Sequence, residues 1–376
     1  MNRISSVNVI FQGRKVGKLA RTANWVTAFQ YDKQWLIDGF SISPLSLPLK
    51  DKVFIAKIDP FEGVHGIFAD SLPDGWGRLL LDRLLLKEKI NPAELDPIER
   101  LSIVGQTGMG ALEYQPENKL VEGSADLDLD IIATKCKGIL ETNYSENLDK
   151  LFELGGSSGG ARPKILTEYN GEQWIIKFPS SVDDINIGEQ EWKYSNCARE
   201  CGIEMTETKL FPSALCKGYF GTKRFDREFD ENGVEKKIHM ASAAALLETT
   251  HRIPNLDYNI LMELTLKITR DFEQVEKLFR LMCFNVYAHN RDDHAKNFTY
   301  IFDQTQNQWK LSPAYDLTYS NSIGGEHATC VNGNGTDPGL EDILEVAKNI
   351  GINISKAKQV ANEIKDIIKE NNNGVD

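Results

Sequence analysis

The chain has 376 residues, of which 41% are hydrophobic and 26% are charged. Acidic residues outnumber basic ones, 55 to 43, and the formal net charge of −12 argues against a protein that coats nucleic acid through its overall field, although a local basic patch stays compatible with it. The length suits roughly two domains of about 150 residues each. No signal peptide and no run of ~20 apolar residues is recognisable, so we expect a cytoplasmic protein without a membrane segment.

The six cysteines are scattered along the chain, which is poor support for a disulfide framework, so we expect reduced thiols. Cys197 and Cys201 share a helical i,i+4 spacing, but no matching His or Cys pair accompanies them. Two buried small residues therefore explain this pair better than a zinc site does.

The first 120 residues combine strand and helix patterns. Alternating segments such as VNVIFQ and GKLA predict strands. The stretch SLPDGWGRLLLDRLLLKEKI predicts a helix that begins after the turn Pro73-Asp74-Gly75 and whose leucines, Leu79 to Leu86, belong to the core. A polar and acidic stretch between about residues 117 and 130 then predicts an exposed domain boundary.

A glycine cluster follows in ELGGSSGGARPKILTEYNGEQWIIKF, residues 153–178. Ala161-Arg162 after the last glycine exclude a Walker A loop. The loop still offers flexible backbone N–H groups and hydroxyls to a phosphate. The residues concerned are Gly155, Gly156, Ser157, Ser158, Gly159 and Gly160.

Two strands joined by a turn at residues 169–171 are predicted after this loop, and Lys177 ends the second strand. In this order the lysine can neutralise nucleotide phosphates, whereas taken alone it would be a surface lysine of an edge strand. A helix from about Gly188 to Cys201 comes next. Glu191 on this helix is predicted to hold Lys177 by an ion pair, with Glu189 as the competing choice.

The polar stretch AHNRDDHAKNFTY, residues 288–300, lies between a predicted helix and a predicted strand. Asp292 and Asn297 have the D-x-x-x-x-N spacing of a kinase catalytic loop, in which the aspartate orients the substrate hydroxyl and the asparagine binds Mg²⁺. A hydrolytic metal cluster of Asp292, Asp293, His289 and His294 is the rival, but its spacing fits no zinc signature. On the kinase interpretation, His294 packs within the loop and Asp293 faces solvent.

Asp316 lies in SPAYDLTYS, just after a hairpin predicted from strands at 298–302 and 309–311. A kinase carries its second metal-binding aspartate at this place, and Asp316 with Asn297 supplies the hard oxygen ligands that suit Mg²⁺. Near the C-terminus, two helices around Gly351 are compatible with a helix-turn-helix or with two packed helices, and the acidic setting favours the second.

The segments FADSLPDGWGRLLL, GGSSGGARPK, KRFDR, DDHAKNF and SPAYD resemble, in this order, the HipA family of serine/threonine kinases, the toxins of bacterial toxin–antitoxin pairs. The resemblance covers nearly the whole chain and implies an α+β, two-lobed protein-kinase-like fold, with an N-terminal β-rich subdomain and a mostly helical C-terminal lobe. It implies a HipA-like N-terminal subdomain at 1–120 and a kinase region at 121–376, with a nucleotide-binding part at about 145–226 and a helical catalytic lobe at about 227–370.

The resemblance also implies roles for individual residues. Asp292 is the catalytic base, Asn297 and Asp316 are the magnesium ligands, and Lys177 binds phosphate. Ser157 aligns with the autophosphorylated serine, with Ser158 as the near alternative, and the backbone of Lys223 and Phe225 binds adenine. The complete set predicted to bind ATP is Ser157, Ser158, Gly159, Gly160, Lys177, Glu191, Lys223, Arg224, Phe225, His294, Asn297, Tyr315 and Asp316.

Two departures from ordinary eukaryotic kinases bear on regulation: Asn290-Arg291-Asp292 replaces HRD, and Tyr315-Asp316-Leu317 replaces DFG. The resemblance implies instead restraint by a HipB-like antitoxin, with operator DNA bound only through the antitoxin complex. It implies a protein substrate, and aminoacyl-tRNA synthetases are among the family's targets. A small-molecule kinase on the same scaffold and a non-catalytic, antitoxin-binding transcriptional partner are the alternatives.

Overall fold

The computed structural model describes residues 4–120, 128–141, 148–157, 159–250, 253–321 and 324–372. The chain divides into two compact units: the first comprises Met1–Glu189 and Thr208–His239, and the second comprises Gln190–Glu207 and Met240–Asp376. The predicted boundary at about 117–130 falls within the first unit, and its residues 121–127 lie outside the described ones. The predicted domain limits therefore stay predictions.

A five-stranded antiparallel sheet begins the first unit. Its strands are β1 (Ser6–Phe11), β2 (Arg14–Arg21), β3 (Thr27–Tyr31), β4 (Val53–Ile55) and β5 (Leu112–Gln115). They are ordered β4-β3-β2-β1-β5. The alternation in VNVIFQ puts Val7 and Val9 in the core, where both are at most 1% exposed, so the strand prediction for this segment is confirmed.

The helices of the first unit are α1 (Trp35–Asp38), α2 (Gly66–Ala69), α3 (Gly75–Lys87), α4 (Pro97–Val104), α5 (Leu129–Leu140) and α6 (Leu148–Gly155), with a short 3₁₀ helix at Pro92–Glu94. The predicted helix after the Pro73-Asp74-Gly75 turn is α3. Its Leu80 and Leu84 are fully buried, but Leu86 is 59% exposed, so its predicted place in the core is wrong. Leu86 lies about 200° around the helix from Leu84, away from the buried row.

A second sheet of the first unit carries the predicted phosphate-binding region. It contains β6 (Lys164–Tyr169), β7 (Glu172–Lys177), β8 (Thr208–Phe211) and β9 (Tyr219–Lys223), in the order β6-β7-β9-β8. Asn170 and Gly171 have φ angles of 54° and 76°, the left-handed conformation that a two-residue hairpin turn requires. The predicted hairpin is thus confirmed. Two short strands, β10 (Arg227–Phe229) and β11 (Glu235–Lys237), form a further hairpin.

One hydrophobic core joins this sheet to the helices of the first unit. Trp76 and Leu80 of α3 pack in the same buried cluster as Trp174 and Ile176 of β7. The side chains of α5 and α6 complete the cluster. Helix α3 and strand β7 therefore have fixed positions relative to each other, and the loop between α6 and β6 is attached to this core at its two ends.

The second unit is mainly helical. Its helices are α7 (Ile187–Glu200), which begins in the first unit, α8 (Ala243–Leu247), α9 (Tyr258–Thr269), α10 (Phe272–Tyr287), α11 (Leu340–Ile350) and α12 (Ile354–Asn372), with a 3₁₀ helix at Ala295–Asn297. Its strands are β12 (Met240–Ser242), β13 (Leu256–Asp257), β14 (Thr299–Asp303), β15 (Gln308–Leu311) and β16 (Thr329–Cys330).

The predicted order of helix, polar loop and hairpin is present in the second unit as α10, residues 288–298 and β14-β15. Strand β12 extends this hairpin to three strands, in the order β12-β14-β15, and β13 pairs in parallel with β16. Helices α11 and α12 confirm the two predicted C-terminal helices, since Gly351, with φ of 90°, ends α11 in the left-handed conformation. Among the described residues, no helix has the length and apolar character to cross a bilayer.

Candidate active site

The glycine-rich loop of the first unit is held against the N-terminus of α3. The N–H of Gly160 donates to Asp74 Oδ1 at 2.5 Å, and the N–H of Trp76 donates to the carbonyl of Gly160 at 2.8 Å. A Cβ atom on Gly75 would lie 2.3 Å from the Gly160 carbonyl oxygen, so only glycine fits this crossing. The turn Pro73-Asp74-Gly75, predicted only as the start of a helix, thus anchors the loop.

Ser157, the predicted autophosphorylation residue, lies in the same loop. Its hydroxyl donates to the carbonyl oxygen of Thr107 at 2.8 Å. Ser158, the alternative, lies outside the described residues. Lys164 of β6 donates from Nζ to the carbonyl of Gly159 at 2.6 Å, so the loop is tied to the strand that follows it.

Lys177 ends β7 and is opposite Lys164 in the register of the β6-β7 pair. It is 8% exposed, and its Nζ lies 5.6 Å from the ring centroid of Phe220, a cation–π distance. Glu191, its predicted partner on α7, is 2% exposed. Glu189, the competing choice, pairs instead with Lys217 at 2.9 Å. The Lys177–Glu191 ion pair stays a prediction.

The predicted adenine-binding segment follows β9 and contains a buried charge cluster. Arg224 binds Asp226 through two parallel hydrogen bonds of 2.8 and 2.7 Å, and Arg227 donates to Asp226 Oδ2 at 2.7 Å. Burial raises the pKa of Asp226, but the two arginines outweigh it and lower that pKa to about 2. Lys223 pairs with Glu172, and Phe225 is half-buried. The Arg224 guanidinium therefore serves this cluster, while a role in binding ATP stays a prediction.

Two adjacent aspartates in the polar loop of the second unit differ in exposure. Asp292 has a side chain that is 59% exposed, whereas the Asp293 side chain is fully buried. The expectation that Asp293 faces solvent is therefore wrong. Its Oδ2 accepts from Tyr258 Oη at 2.9 Å and from His327 Nδ1 at 3.0 Å, and its Oδ1 accepts from the N–H of Thr329 at 3.1 Å. These bonds compensate for its burial.

Further hydrogen bonds attach this loop to the helices beneath it. Asn290 donates from Nδ2 to Asn285 Oδ1 at 3.0 Å, and Asn285 donates in turn to Tyr258 Oη at 2.9 Å. His289, at the start of the loop, adopts the left-handed conformation with φ of 52°. The loop thus turns sharply after α10 and is fixed on the side of Asp293, which leaves Asp292 on the other side.

Asn297 closes the loop across the predicted five-residue spacing, because its Nδ2 donates to the carbonyl of Asp292 at 2.7 Å. This bond uses the amide nitrogen, so the amide oxygen points away from the carbonyl and can serve as a metal ligand. His294 accepts at Nδ1 from the N–H of Lys296 at 3.3 Å, and its Nε2 is 4.0 Å from Asp292 Oδ1. Asp292, His294 and Asn297 are thus brought together by short-range bonds.

Tyr315 and Asp316 follow β15. The Tyr315 hydroxyl bonds to Thr299 Oγ1 at 2.7 Å and to the carbonyl of Lys296, which connects this segment to the polar loop. Asp316 has φ of 57°, the left-handed conformation that non-glycine residues seldom adopt.

The oxygen donors of Asn297 and Asp316 fit magnesium, which takes few protein ligands besides water and phosphate. Among the described residues, no group of three or more His, Cys, Asp or Glu side chains is arranged to hold a metal ion. Asp293, a member of the rival hydrolytic cluster, is committed to Tyr258, His327 and Thr329.

Two family models match the chain. The HipA N-terminal domain matches residues 7–115, and the HipA-like C-terminal domain matches residues 156–371, more than half of the chain. The chain belongs to the HipA family. A Sinorhizobium fredii protein named "Putative kinase Y4mE" is 26% identical over 346 residues, which cover 83% of this chain and 76% of that protein.

A solved HipA structure has the same fold. HipA of Shewanella oneidensis MR-1, solved with HipB and operator DNA, is 15% identical and superposes with a TM-score of 0.73 over 97% of this chain and 89% of that chain. The α+β, kinase-like HipA fold predicted from the sequence is therefore confirmed. The Helicobacter pylori kinase CtkA gives a TM-score of 0.39 at 15% identity, over 58% of this chain and 90% of that chain.

Sequence reasoning missed three groups that support the candidate site. They are Asp74 with Thr107, which hold the glycine-rich loop, Tyr258 with His327, which hold Asp293, and Asp226, which binds Arg224 and Arg227. The alternating charges of KRFDR were a usable signal for the last group. The others lie 34 to 86 residues from the groups that they hold, as the separations of His327 from Asp293 and of Asp74 from Gly160 show.

Proposed function

We propose that this HipA family member is an ATP- and Mg²⁺-dependent protein kinase that phosphorylates serine or threonine. The observation that supports it best is the form of the loop at 292–297. The Asp292 carboxylate is exposed to solvent while the adjacent Asp293 holds the loop from inside. Asn297 closes the loop on the Asp292 carbonyl. This gives the acid and the amide of the D-x-x-x-x-N element a fixed spacing.

In this proposal each residue has one chemical role. Asp292 accepts the proton of the substrate hydroxyl, Lys177 neutralises phosphate charge, and Asn297 and Asp316 hold the metal ion. When bound, Mg²⁺ would neutralise the charge of the nucleotide phosphates. The partly buried ring of His294, 4.0 Å from the Asp292 carboxylate, would orient that carboxylate. Positioning and electrostatic stabilisation would account for most of the catalysis.

Autophosphorylation at Ser157 would switch the enzyme off. The unmodified hydroxyl donates to the Thr107 carbonyl, and a phosphorylated serine has no such proton to donate. Phosphate also adds roughly −1.5 to −2 charges to a loop that would receive ATP phosphates. We therefore expect the loop to leave its position and ATP to bind more weakly. Titration of phosphorylated and unmodified protein with ATP tests this, and equal affinities would refute it.

The proposed partner is a HipB-like antitoxin, because the similar Shewanella protein was solved with HipB and operator DNA. The net charge of −12 supports contact with DNA through the antitoxin rather than through the overall field of this chain. The proposed substrate is a translation-related protein, such as an aminoacyl-tRNA synthetase, and the proposed location is the cytoplasm.

Incubation with labelled Mg-ATP and host lysate tests the proposed activity. Wild-type protein should label protein bands, and Asp292→Asn should not. Glu370→Gln, an exposed acid on α12, is the matched control and should label as the wild type does. Label in small metabolites alone would favour a small-molecule kinase, and equal labelling by wild type and Asp292→Asn would refute the assigned site. No labelling by any protein would favour the non-catalytic partner.

A further inference from the structure

A cavity of about 330 Å³ lies within the second unit, where the end of α10, the start of α11 and the end of α12 meet. Asp292, Asn297 and Asp316 are not part of its lining, so it differs from the proposed catalytic site. Its volume is at the lower end of the range for small-molecule pockets, roughly 300–1,000 Å³. Its polar lining combines Tyr287 and one acid, Asp337, with a larger number of basic residues: His289, Arg291, His327, Lys365 and Lys369.

The single acid of the lining neutralises only part of the positive charge of this cavity. Within the described ranges, the side chains of Arg291, Lys365 and Lys369 form no ion pair, and Asp337 is the acid in the lining. Lys365 and Lys369 are one turn apart on α12, so both side chains lie on the same face of that helix. In a chain with a net charge of −12, such a local basic cluster attracts anions.

The two histidines of the lining lie in different surroundings. His327 is buried, and its Nδ1 donates to Asp293 at 3.0 Å, which fixes the ring. Burial lowers the pKa of His289, and the nearby Arg291 and His327 lower it further, against an opposing effect of Asp337. A bound anion would reverse part of this effect.

Two enclosed polar atoms of the lining residues have no hydrogen-bond partner in the described part of the chain. They are the Tyr287 hydroxyl and Nε of Arg291. Leaving such a group unsatisfied costs about 1–3 kcal/mol. Both residues line the cavity, so a small rotation of either side chain toward a bound anion would give its unpartnered atom an oxygen that the chain itself does not supply.

The remaining walls are apolar and include Val286, Leu340 and Ile368. A free phosphate or sulfate ion would leave these walls without contacts. We propose that this cavity binds a small phosphate monoester, with its dianionic phosphate at Arg291 and the two lysines and its organic group against the apolar wall. Since Arg291 immediately precedes Asp292, binding would restrain the loop that carries the proposed catalytic base.

Calorimetric titration of the full chain with three probes tests this inference without measuring kinase activity. Phenyl phosphate carries the charge and an apolar ring, inorganic phosphate carries only the charge, and phenol carries only the ring. We expect phenyl phosphate to bind more tightly than phosphate and phenol not to bind. Phosphate binding as tightly as phenyl phosphate, or no binding of phenyl phosphate, would overturn the proposal.

Substitutions of lining residues test whether phenyl phosphate binds in this cavity. Arg291→Lys keeps the charge but removes Nε, and the double variant Lys365→Ala, Lys369→Ala changes only exposed side chains. Each should weaken phenyl phosphate binding by about tenfold or more. Tyr287→Phe should also weaken it, while its thermal midpoint stays equal or rises because an unsatisfied hydroxyl is removed.

Two controls separate this cavity from other sites. Lys358→Ala removes an exposed charge from α12 outside the cavity lining and should leave the affinity unchanged. Lys177→Ala should also leave the affinity unchanged, because Lys177 belongs to the proposed phosphate-transfer residues and not to the lining of this cavity. Loss of phenyl phosphate binding in Lys177→Ala, together with unchanged binding in Arg291→Lys, would assign the ligand to the nucleotide-binding residues and overturn the proposal.

Discussion

At the scale of single residues, the polar loop at 288–298 places two neighbouring aspartates in different surroundings. Asp292 is largely exposed, and Asp293 accepts three hydrogen bonds in the interior. If Asp292 has its proposed role as general base, Asp292→Asn should lower kcat by about 10²–10⁴, the usual effect of losing such a base, without changing the thermal midpoint. Steady-state kinetics and calorimetry of the same preparation measure both quantities.

Asp293→Asn is the matched comparison, since it makes the same change one residue away. An amide offers one oxygen where the carboxylate offers two, and its NH₂ group would face the donors Tyr258, His327 or Thr329. The free energy of unfolding should fall by roughly 1–3 kcal/mol. If Asp292→Asn destabilised the protein and Asp293→Asn did not, the assignment of the two roles would be reversed.

At the scale of elements, the glycine-rich loop depends on α3, which the sequence places about 80 residues earlier. Asp74 accepts the Gly160 N–H at the start of α3. Asp74→Ala should expose that N–H and speed its hydrogen exchange about fivefold or more, as the loss of about 1 kcal/mol would do. Amide exchange measured by NMR or mass spectrometry on the loop peptide gives the rate.

Asp74→Asn controls this experiment because the amide keeps an oxygen in place of Oδ1. Exchange of the loop should then stay close to that of the wild type. Equal acceleration in Asp74→Ala and Asp74→Asn would mean that charge, rather than the hydrogen bond to Gly160, holds the loop.

At the scale of the whole molecule, buried histidines couple stability to pH. His239 is 1% exposed, and its Nε2 is 2.8 Å from the carbonyl of Ile42. Burial lowers its pKa to about 4, below its ordinary value of 6.5, and lowers the pKa of His65 similarly. Between pH 4 and pH 6.5, the histidine therefore binds more protons in the unfolded chain than in the folded one. The stability contribution is complete above pH 6.5 and is lost as the pH falls toward 4.

His239→Gln tests this coupling, since the glutamine amide can donate to the Ile42 carbonyl but does not titrate. For wild-type protein, the His239 term alone should remove up to about 3 kcal/mol on acidification from pH 6.5 to below pH 4. Urea unfolding at several pH values should show a smaller loss for the variant. Asp226, with its pKa of about 2, acts in a lower window, between its ordinary value of 3.8 and about 2. Identical pH dependence in both proteins would contradict the assignment.

The sequence by itself determined the local elements and their order. Hydrophobic period and turn residues predicted α10, the β6-β7 hairpin at Asn170-Gly171 and the two C-terminal helices. Such patterns are informative because these elements are held by hydrogen bonds between residues close in sequence and bury one face. Spacing also predicted that Asp292 and Asn297 act together, since five residues of loop keep them close.

Only the tertiary structure decided which aspartate is buried, where the glycine-rich loop is anchored and which basic side chains share a cavity. Asp292 and Asp293 are the same residue type at adjacent positions, and their difference comes from distant partners of Asp293, Tyr258, His327 and Thr329, which lie 34 to 36 residues away. The cavity likewise combines Arg291 with Lys365 from another helix. Such partners depend on how elements pack. The hydrophobic period of a single element shows which face is buried, but it does not specify which other element covers that face.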